Sequence, residues 1–574
     1  MAIIAASPDS RPIMPPQRFL MHEVPAEPFR KRLVQLKTAR SYYDDEMKLI
    51  SKFIRPRRSR WAANDPRGVD RRSTAILNTT ATIASRTLMS GMQTGVSSPA
   101  RPWFRLTTPD PEMAEQGEIK TYLTTVARRM SAVFNRSNIY NSLHTGYGDI
   151  GDFGTSVMMI DENFNSVIHT HVYSPGEYYL AVDDTGIVCT IYRELTLTVL
   201  AMVMKFGNRC SDHVMNLYNR GNLEENIHVV EAVEPNMQQV KDMIGPRGAP
   251  FIRVYFERDT RNDKLLDCKG LNEFPAACPR WMVRDGDVYG YGPGLEVLDD
   301  VMGLQVLEQR KQMMADKLAS PPTQGGPTNI QIRNKAGQHT AVPGNDVSGN
   351  GLLKPLYEMS AQGMQALAAE IQRSEARIDE GYFKDLFLMF AQTNRREITA
   401  REVDERHEEK LLALGPVLER QHSENLDPAI TRTFNIMNRA GILPEPPQAL
   451  QGSEIRVQFV SMLAQAQRAV AIGGIENLAR FVGGLSAAFP SVLDKLDADQ
   501  AVDEYADATG VPTGIVNTDD QVSKIREDKA KQAQGEAAMQ MAQQGIQGAK
   551  VLSETDITPT NMLGQISSAI GAGL

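Results

Sequence analysis

The sequence predicts an α+β protein, mainly helical, built around an antiparallel strand meander. Three observations lead there. Between Gly151 and Arg258, short β-branched runs are separated by Asp, Asn and Gly turns. On both sides of that block, apolar residues recur at helical spacing over long stretches. The repeated strand–helix alternation of a parallel sheet is missing. At 574 residues the chain is too long for one ordinary core, and about three or four structural units are expected.

In chain order, the first helix spans about Phe29 to Phe53, followed by the basic cluster RPRRSRW at Arg55 to Trp61. A second helix, rich in Ala, Thr and Ser, is expected over STAILNTTATIASRTLMSGM from Ser73. PARPWFRLTTPDPE reads as a short extended piece with breakers at both ends. Two more helices follow, around Glu115 to Asn135 and Tyr140 to Asp149. The meander is TSVMMIDE, SVIHTHVYS, EYYLAVDD and GIVCTIYREL, with further strands at NIHVVEAVE, PFIRVYFER and CPRWMVRDG.

Next comes GDVYGYGPGLEVLDDVMGLQ, where Gly290, Gly292 and Gly294 precede a helix of roughly 25 residues from Leu295, about 37 Å long. A stretch dense in Pro, Gly and Asn follows, with room for one short strand pair. A second long helical run covers about Leu356 to Ala391, and pairs such as Glu380 with Lys384 give it a solvated face. After the break QTNRREI, Thr399 and Glu402 form a capping box. The helix they start continues through Leu426, with a kink expected at Gly415-Pro416. SEIRVQFVS is an isolated late strand, expected to return to the earlier sheet. The remainder reads as helical, ending in the Gln/Ala/Gly-rich KAKQAQGEAAMQMAQQGIQGAK, which is expected to be partly disordered.

Composition narrows the function classes. Formal charge is -8, against a simple electrostatic DNA binder. From Ser491 to Leu574 thirteen acidic residues face six basic ones, so -7 of that charge sits at one end. Such asymmetry marks a distinct surface or tail. No apolar run is long enough to span a membrane, and the N-terminus lacks the pattern of a secretory signal. Cys189, Cys210, Cys268 and Cys278 form no C-x-x-C pair and read as reduced, buried thiols of a cytoplasmic product, without disulfide or zinc.

Gly-rich GYGPG invites a nucleotide-site reading. A Walker loop requires G-x-x-x-x-G-K-[ST], which the chain lacks, and the dinucleotide fingerprint requires a βαβ unit. Pro293 also removes one backbone donor that would hold a phosphate. The glycines therefore read as a hinge. HEEK at His407 has Leu411 where a zinc helix needs its second histidine. His169 and His171 share one strand face but have no third ligand. No G-x-S-x-G elbow and no other catalytic constellation appears. No cofactor is indicated. Arg55, Arg57, Arg58 and Arg60 suit either phosphate contact or a solvated or intersubunit salt-bridging face. Arg310, Lys311 and Lys317 on the long helix, and Asn394, Arg395 and Arg396 in the break, have few aromatic platforms nearby. Any nucleic-acid contact there is to the backbone and independent of sequence.

The order of parts resembles the portal, or head-to-tail connector, family of short-tailed bacteriophages. The residues that carry the resemblance are GDFGTSVMMIDE (Gly151 to Glu162), GDVYGYGPGLEVLDDVMGLQ (Gly286 to Gln305), TAREVDERHEEKLLALGPVLERQ (Thr399 to Gln421) and LDPAITRTFNIMNRAGILPEPP (Leu426 to Pro447). The resemblance covers about Arg30 to Val460. It implies a portal fold of wing, stem, clip and crown, assembled as a ring, usually of twelve copies, at one capsid vertex. Carried onto this chain, residues 1–28 are an N-terminal arm and 29–294 the wing. Residues 295–319 and 356–391 become the stem helices, 320–355 the clip and 392–398 a tunnel loop. Residues 399–461 return to the wing, 462–530 form the crown, and 531–574 are a low-complexity tail.

The implied function is a non-enzymatic channel for packaging and ejecting double-stranded DNA. Implied partners are capsid and scaffold proteins, the large terminase subunit and tail adaptors. Pro321, Pro322, Ile330, Ile332, Arg333 and Lys335 become clip contacts to an adaptor. Gly290, Gly292, Pro293 and Gly294 become the wing–stem hinge. Two other classes remain as alternatives: a capsid or tail adaptor without a DNA-conducting channel, and a nucleotide-dependent enzyme built on the glycine-rich turn.

Overall fold

The structure is a computed structural model. It describes residues 3–4, 25–110, 113–319, 323–324, 354–355, 361–392, 414–460, 478–485, 489, 495–509 and 522–535, apart from breaks at 59, 62–75, 115, 241–242, 244, 260–263 and 453.

Helix α1 (Glu27–Phe53) buries Phe29, Leu33, Leu36, Tyr43, Met47 and Ile50, a stripe at three- and four-residue spacing. The stripe serves two cores. Its first half, Phe29, Leu33 and Leu36, lies on Tyr192, Val230, Val254 and Phe256 of the large sheet. Its second half, from Tyr43 to Ile50, enters the helical core with Leu88, Phe153 and Tyr382. One rigid helix thus joins sheet and helical body.

The large sheet contains β5 (Tyr178–Val182), β6 (Val188–Thr198), β7 (Asn226–Pro235), β8 (Phe251–Glu257) and β9 (Asp267–Leu271), antiparallel and in sequence order. A smaller sheet sets β3 (Met158–Asn163) between β4 (Val167–Val172) and β10 (Ala276–Ala277). The expected meander is therefore present, but split in two. CPRWMVRDG, expected as a strand, makes only two isolated bridges, Thr155–Arg280 and Met282–Tyr291. Pro279 has no N–H to give, and the Arg280 N–H and side chain turn instead to Glu424, at 2.9 and 2.7 Å.

The late strand β13 (Glu454–Phe459) does not rejoin the meander. It pairs with β2 (Phe104–Thr107), the extended piece of PARPWFRL, with Phe459 opposite Phe104, and with β1 (Ile3–Ile4) on its other side. Its alternation fits any half-buried sheet, so pattern alone could not choose the partner. Two short helices, Val199–Phe206 and Asp212–Asn219, also went unforeseen, although Thr198 and Ser211 cap them by accepting from Ala201 and Val214.

The core beneath the small sheet is made by Thr80–Val96, Gly117–Arg136 and Ile139–Phe153, the last buried at every residue from Gly146 onward. Against it lie two long helical segments. The first, expected unbroken from Leu295, is interrupted at Val297 between Pro293–Glu296 and Leu298–Ala319. The second, expected unbroken to Ala391, is interrupted at Tyr382 and Phe383 between Ala361–Gly381 and Lys384–Gln392. Phe383 has a left-handed backbone, φ 52°, where a glycine would be unstrained. The breaks face each other, because Gly381 lies against the Val297 side chain.

The two segments run antiparallel. Arg377 meets Asp300 at 2.9 Å, and beyond the helix ends Thr323 pairs with Pro355 and Gln324 with Lys354. The capping box at Thr399 lies outside the described residues. Further on, Gly415–Gln421 and Asp427–Arg439 are joined by a π turn over His422–Leu426, and Pro416 sits in the first turn of the former; the residues before Leu414, which an expected kink there would join, lie outside the described residues. Helical stretches at 478–485, Ala498–Thr509 and 522–535 follow. Low-complexity residues beyond 535 lie outside the described residues.

Between the sheets, Glu231 is buried and accepts from the hydroxyls of Tyr173 and Tyr255 at 3.1 and 2.6 Å, while Arg253 links it to Asp161. Burial alone would raise the Glu231 carboxyl, but Arg253, Tyr255 and Arg193 outweigh it and hold the group below its ordinary value. A depressed carboxylate stabilises the fold above its unfolded value of 4.5, and that contribution is lost as pH falls through the folded value. Glu231→Gln should therefore cost about 3–5 kcal/mol at neutral pH and flatten the fall of melting temperature below pH 4.5. Melting curves from pH 7 to 3 check this; parallel curves would remove Glu231 from the acid response.

Candidate functional site

Several close backbone approaches gather at the end of helix Ile139–Phe153. Gly154 closes that helix with φ 73°, the left-handed conformation that favours glycine after a helix. Terminal carbonyls lack partners within a helix, and here distant groups supply them. The Tyr43 hydroxyl donates to the Phe153 carbonyl at 2.6 Å, and the Trp281 N–H to that of Gly154 at 2.9 Å.

The Gly290–Gly294 segment lies along the same helix end. A Cβ on Gly290 would stand 2.5 Å from the Gly154 oxygen, and one on Gly292 2.5 Å from that of Ile150; one on Gly294 would overlap the Asp152 carbonyl. None of the three has a positive φ, so close approach, not conformational freedom, requires glycine here. The Gly290 N–H donates to the Thr155 hydroxyl at 2.8 Å. With that donor committed and Pro293 lacking one, the segment is no phosphate cradle. Pro293 instead occupies the first turn of a helix, where a missing donor is harmless.

Under this elbow lie Asp149 and Asp152, both fully buried in the last turn of the helix. Acids are disfavoured at that end of a helix dipole, so they depend on cations. Arg58 forks onto Asp149 at 2.6 and 2.9 Å, and Arg55 lies 3.3 Å from both carboxylates. Asp152 also accepts from Ser85 at 2.8 Å and from Tyr382, at the break in the second long segment, at 3.0 Å. Burial pushes the Asp152 carboxyl above its ordinary value, against the pull of Arg55, Ser85 and Tyr382.

The basic cluster is thereby corrected. Arg55 and Arg58 are spent inside the chain, and Arg60 binds Glu177 at 2.9 Å; Arg57 stays exposed. His169 and His171 do share an exposed strand face, but the neighbour of His171 is Arg193, at 3.2 Å. Among the described residues no His, Cys, Asp and Glu group suits a metal ion. All four cysteines are free; Cys210 and Cys278 are buried, Cys189 and Cys268 only partly so.

The arrangement is architectural rather than reactive, and the relatives agree. Residues 26–516 match the family described as bacteriophage head to tail connecting protein. The portal protein of Salmonella phage epsilon15 is 40% identical over 559 residues, covering 96% of this chain and 100% of that protein. The chain belongs to the phage portal family. Portal proteins are structural components of the virion at the head–tail junction, not enzymes. The probable portal protein of Bordetella phage BPP-1 is 39% identical over 541 residues, covering 93% of this chain and 96% of that protein. A chain from the virion of the native gene transfer agent particle matches at a TM-score of 0.34 and 12% identity, over 82% of this chain and 94% of that one. So distant a likeness adds nothing to the assignment.

Of the residues singled out from the sequence of this portal-family chain, the structure gathers Gly290, Gly292, Pro293 and Gly294 at the elbow. Arg310, Lys311 and Lys317 are exposed along helix Leu298–Ala319, with Lys311 3.5 Å from Glu308. Asn394, Arg395, Arg396, Pro321, Pro322, Ile330, Ile332, Arg333 and Lys335 lie outside the described residues. Sequence reasoning missed Asp149, Asp152, Ser85 and Tyr382. A signal existed in GDIGDF, where two acids three residues apart interrupt an otherwise small and apolar helix face.

Arg58→Ala would remove the forked partner of buried Asp149, leaving Arg55 alone at 3.3 Å, and should destabilise the protein by about 3–5 kcal/mol. Arg57→Ala, on the exposed side of the same cluster, should change stability by no more than about 0.5 kcal/mol. Comparative thermal melts check the pair, and equal effects would contradict the internal role of Arg58.

Proposed function

We propose that copies of this chain close into a ring at one capsid vertex, through which double-stranded DNA is packaged and ejected. The observation that carries this reading is the antiparallel pair of long helical segments, clamped at its base and exposed along its outer faces, in a chain of the portal family. A helical pair with so little covering among the described residues finds it in neighbours related by rotation.

On this reading, Leu295–Ala319 and Leu356–Ala391 are the stem. Ser320–Pro355, whose ends meet in the pair Thr323–Gln324 with Lys354–Pro355, is the clip that receives tail adaptors. The sheets and their helices form the wing against the capsid, and the acidic C-terminal helices form the crown. The elbow aims the stem from the wing as a fixed strut. Arg310, Lys311 and Lys317, with the segment of Asn394, Arg395 and Arg396, are the DNA-facing candidates. Contact there is with phosphates, and the excess acid near the C-terminus keeps the duplex from adhering. Packaging energy comes from a terminase docked on the ring.

Negative-stain images of the purified protein should show rings with a central hole wide enough for a duplex. Rings closed at the centre would favour an adaptor role, and compact monomers at high concentration would contradict the proposal. Changing Arg395 and Arg396 together to Ala should impair DNA packaging or retention while leaving rings intact. Unchanged packaging would remove both from the DNA contacts.

A further inference from the structure

Helix Leu298–Ala319 turns Val301, Leu304 and Gln305 into the protein. On its opposite side Val306, Arg310 and Met313 form a line at four- and three-residue spacing, all exposed, Val306 at 45% and Met313 at 50%. Valine and methionine so exposed on a helix fixed at its base form an apolar face that the described residues leave uncovered. Among the described residues, no carboxylate lies within ion-pair distance of Arg310. Helix Ala361–Gly381 has the complementary layout. Ile371, Ser374 and Ile378 face inward, and Ala366, Ala369 and Arg373 face outward. Beside them the Glu370 side chain is 44% exposed, and its ion pair among the described residues is a 3.4 Å surface contact with Arg373.

The antiparallel register sets the heights. Asp300 is level with Arg377, and Thr323 with Pro355. Counting along the helices, Val306 is level with Ile371, Arg310 with Leu367 and Met313 with Met364. Neighbouring copies in a closed ring share these heights, and a ring requires two different faces that fit each other. Val306 then meets Ala369 and the stem of Arg373, Met313 meets Ala366, and Arg310 comes within a side chain's reach of Glu370. Large residues face small ones, and the Arg310 cation faces the weakly held acid.

We infer that the outward face of helix Leu298–Ala319 seats on the outward face of helix Ala361–Gly381 in the next copy, with Arg310 reaching Glu370 across the contact. The inference rests on the ring reading and deepens it. It also moves Arg310 from the DNA-facing candidates into the contact between copies.

The test combines Met313→Cys and Ala366→Cys in the full-length protein, treated with a short bismaleimide. The expected result is a ladder of covalent oligomers on a denaturing gel, absent from either single variant and from wild type. Native mass measurement on the same samples separates the two levels of the argument. Rings without a ladder overturn this contact and leave the ring reading standing; a wild-type chain that remains monomeric overturns both. Should the cysteine pair fail to assemble, charge exchange decides. Arg310→Glu and Glu370→Arg should each weaken rings, more so at low salt, and together restore them. Absence of rescue overturns the pairing. So would Arg310→Ala rings of unchanged stability that package DNA poorly, because the guanidinium would then face the channel.

Discussion

The architecture depends on how closely two stretches of backbone approach at one place: Gly290–Gly294 along the last turn of Ile139–Phe153. A Cβ on Gly292 would come within 2.5 Å of a carbonyl oxygen, well inside van der Waals contact, so any other residue must push the two apart. That approach puts the start of the first long helical segment against a helix buried at every residue from Gly146 to Phe153. Tyr382 fastens the second segment to the same helix through Asp152. Both long segments thus take their direction from one support.

The support is costly to build. Two carboxylates at the unfavourable end of a helix, out of water, would oppose folding without Arg55 and Arg58. Those arginines come from the chain just after α1, and α1 is also the helix that lies across the large sheet. Sheet, buried helix and long helical pair are therefore joined through one set of contacts. Such joining lets the large sheet and the long helical pair respond as one body. Glu231 with Arg253 and Asp161 does similar work between the two sheets.

What was legible in the sequence follows physical range. The meander and the helices that fall on described residues came from local pattern and local chemistry, and they are present. The partner of Glu454–Phe459 was not legible, because alternation specifies a face and not a neighbour. CPRWMVRDG looked like a strand until Glu424, far along the chain, claimed Arg280. RPRRSRW could be read only as a phosphate contact or an outward salt-bridging face, because its acidic partners lie about ninety residues away. Breaks at Val297 and Phe383 escaped notice because each exists to accommodate the other segment. The glycines were noticed, but their reason was not: freedom of φ can be guessed from sequence, whereas the backbone they must touch cannot.

The most direct test of this account compares Gly292→Ala with Gly303→Ala, the latter a glycine with open space around it. Thermal unfolding should show Gly292→Ala destabilised by about 1–3 kcal/mol through overpacking, while Gly303→Ala, inside an exposed helix, gains about 0.5–1 kcal/mol. A Gly292→Ala protein as stable as wild type would contradict the claim that the elbow is held against the buried helix.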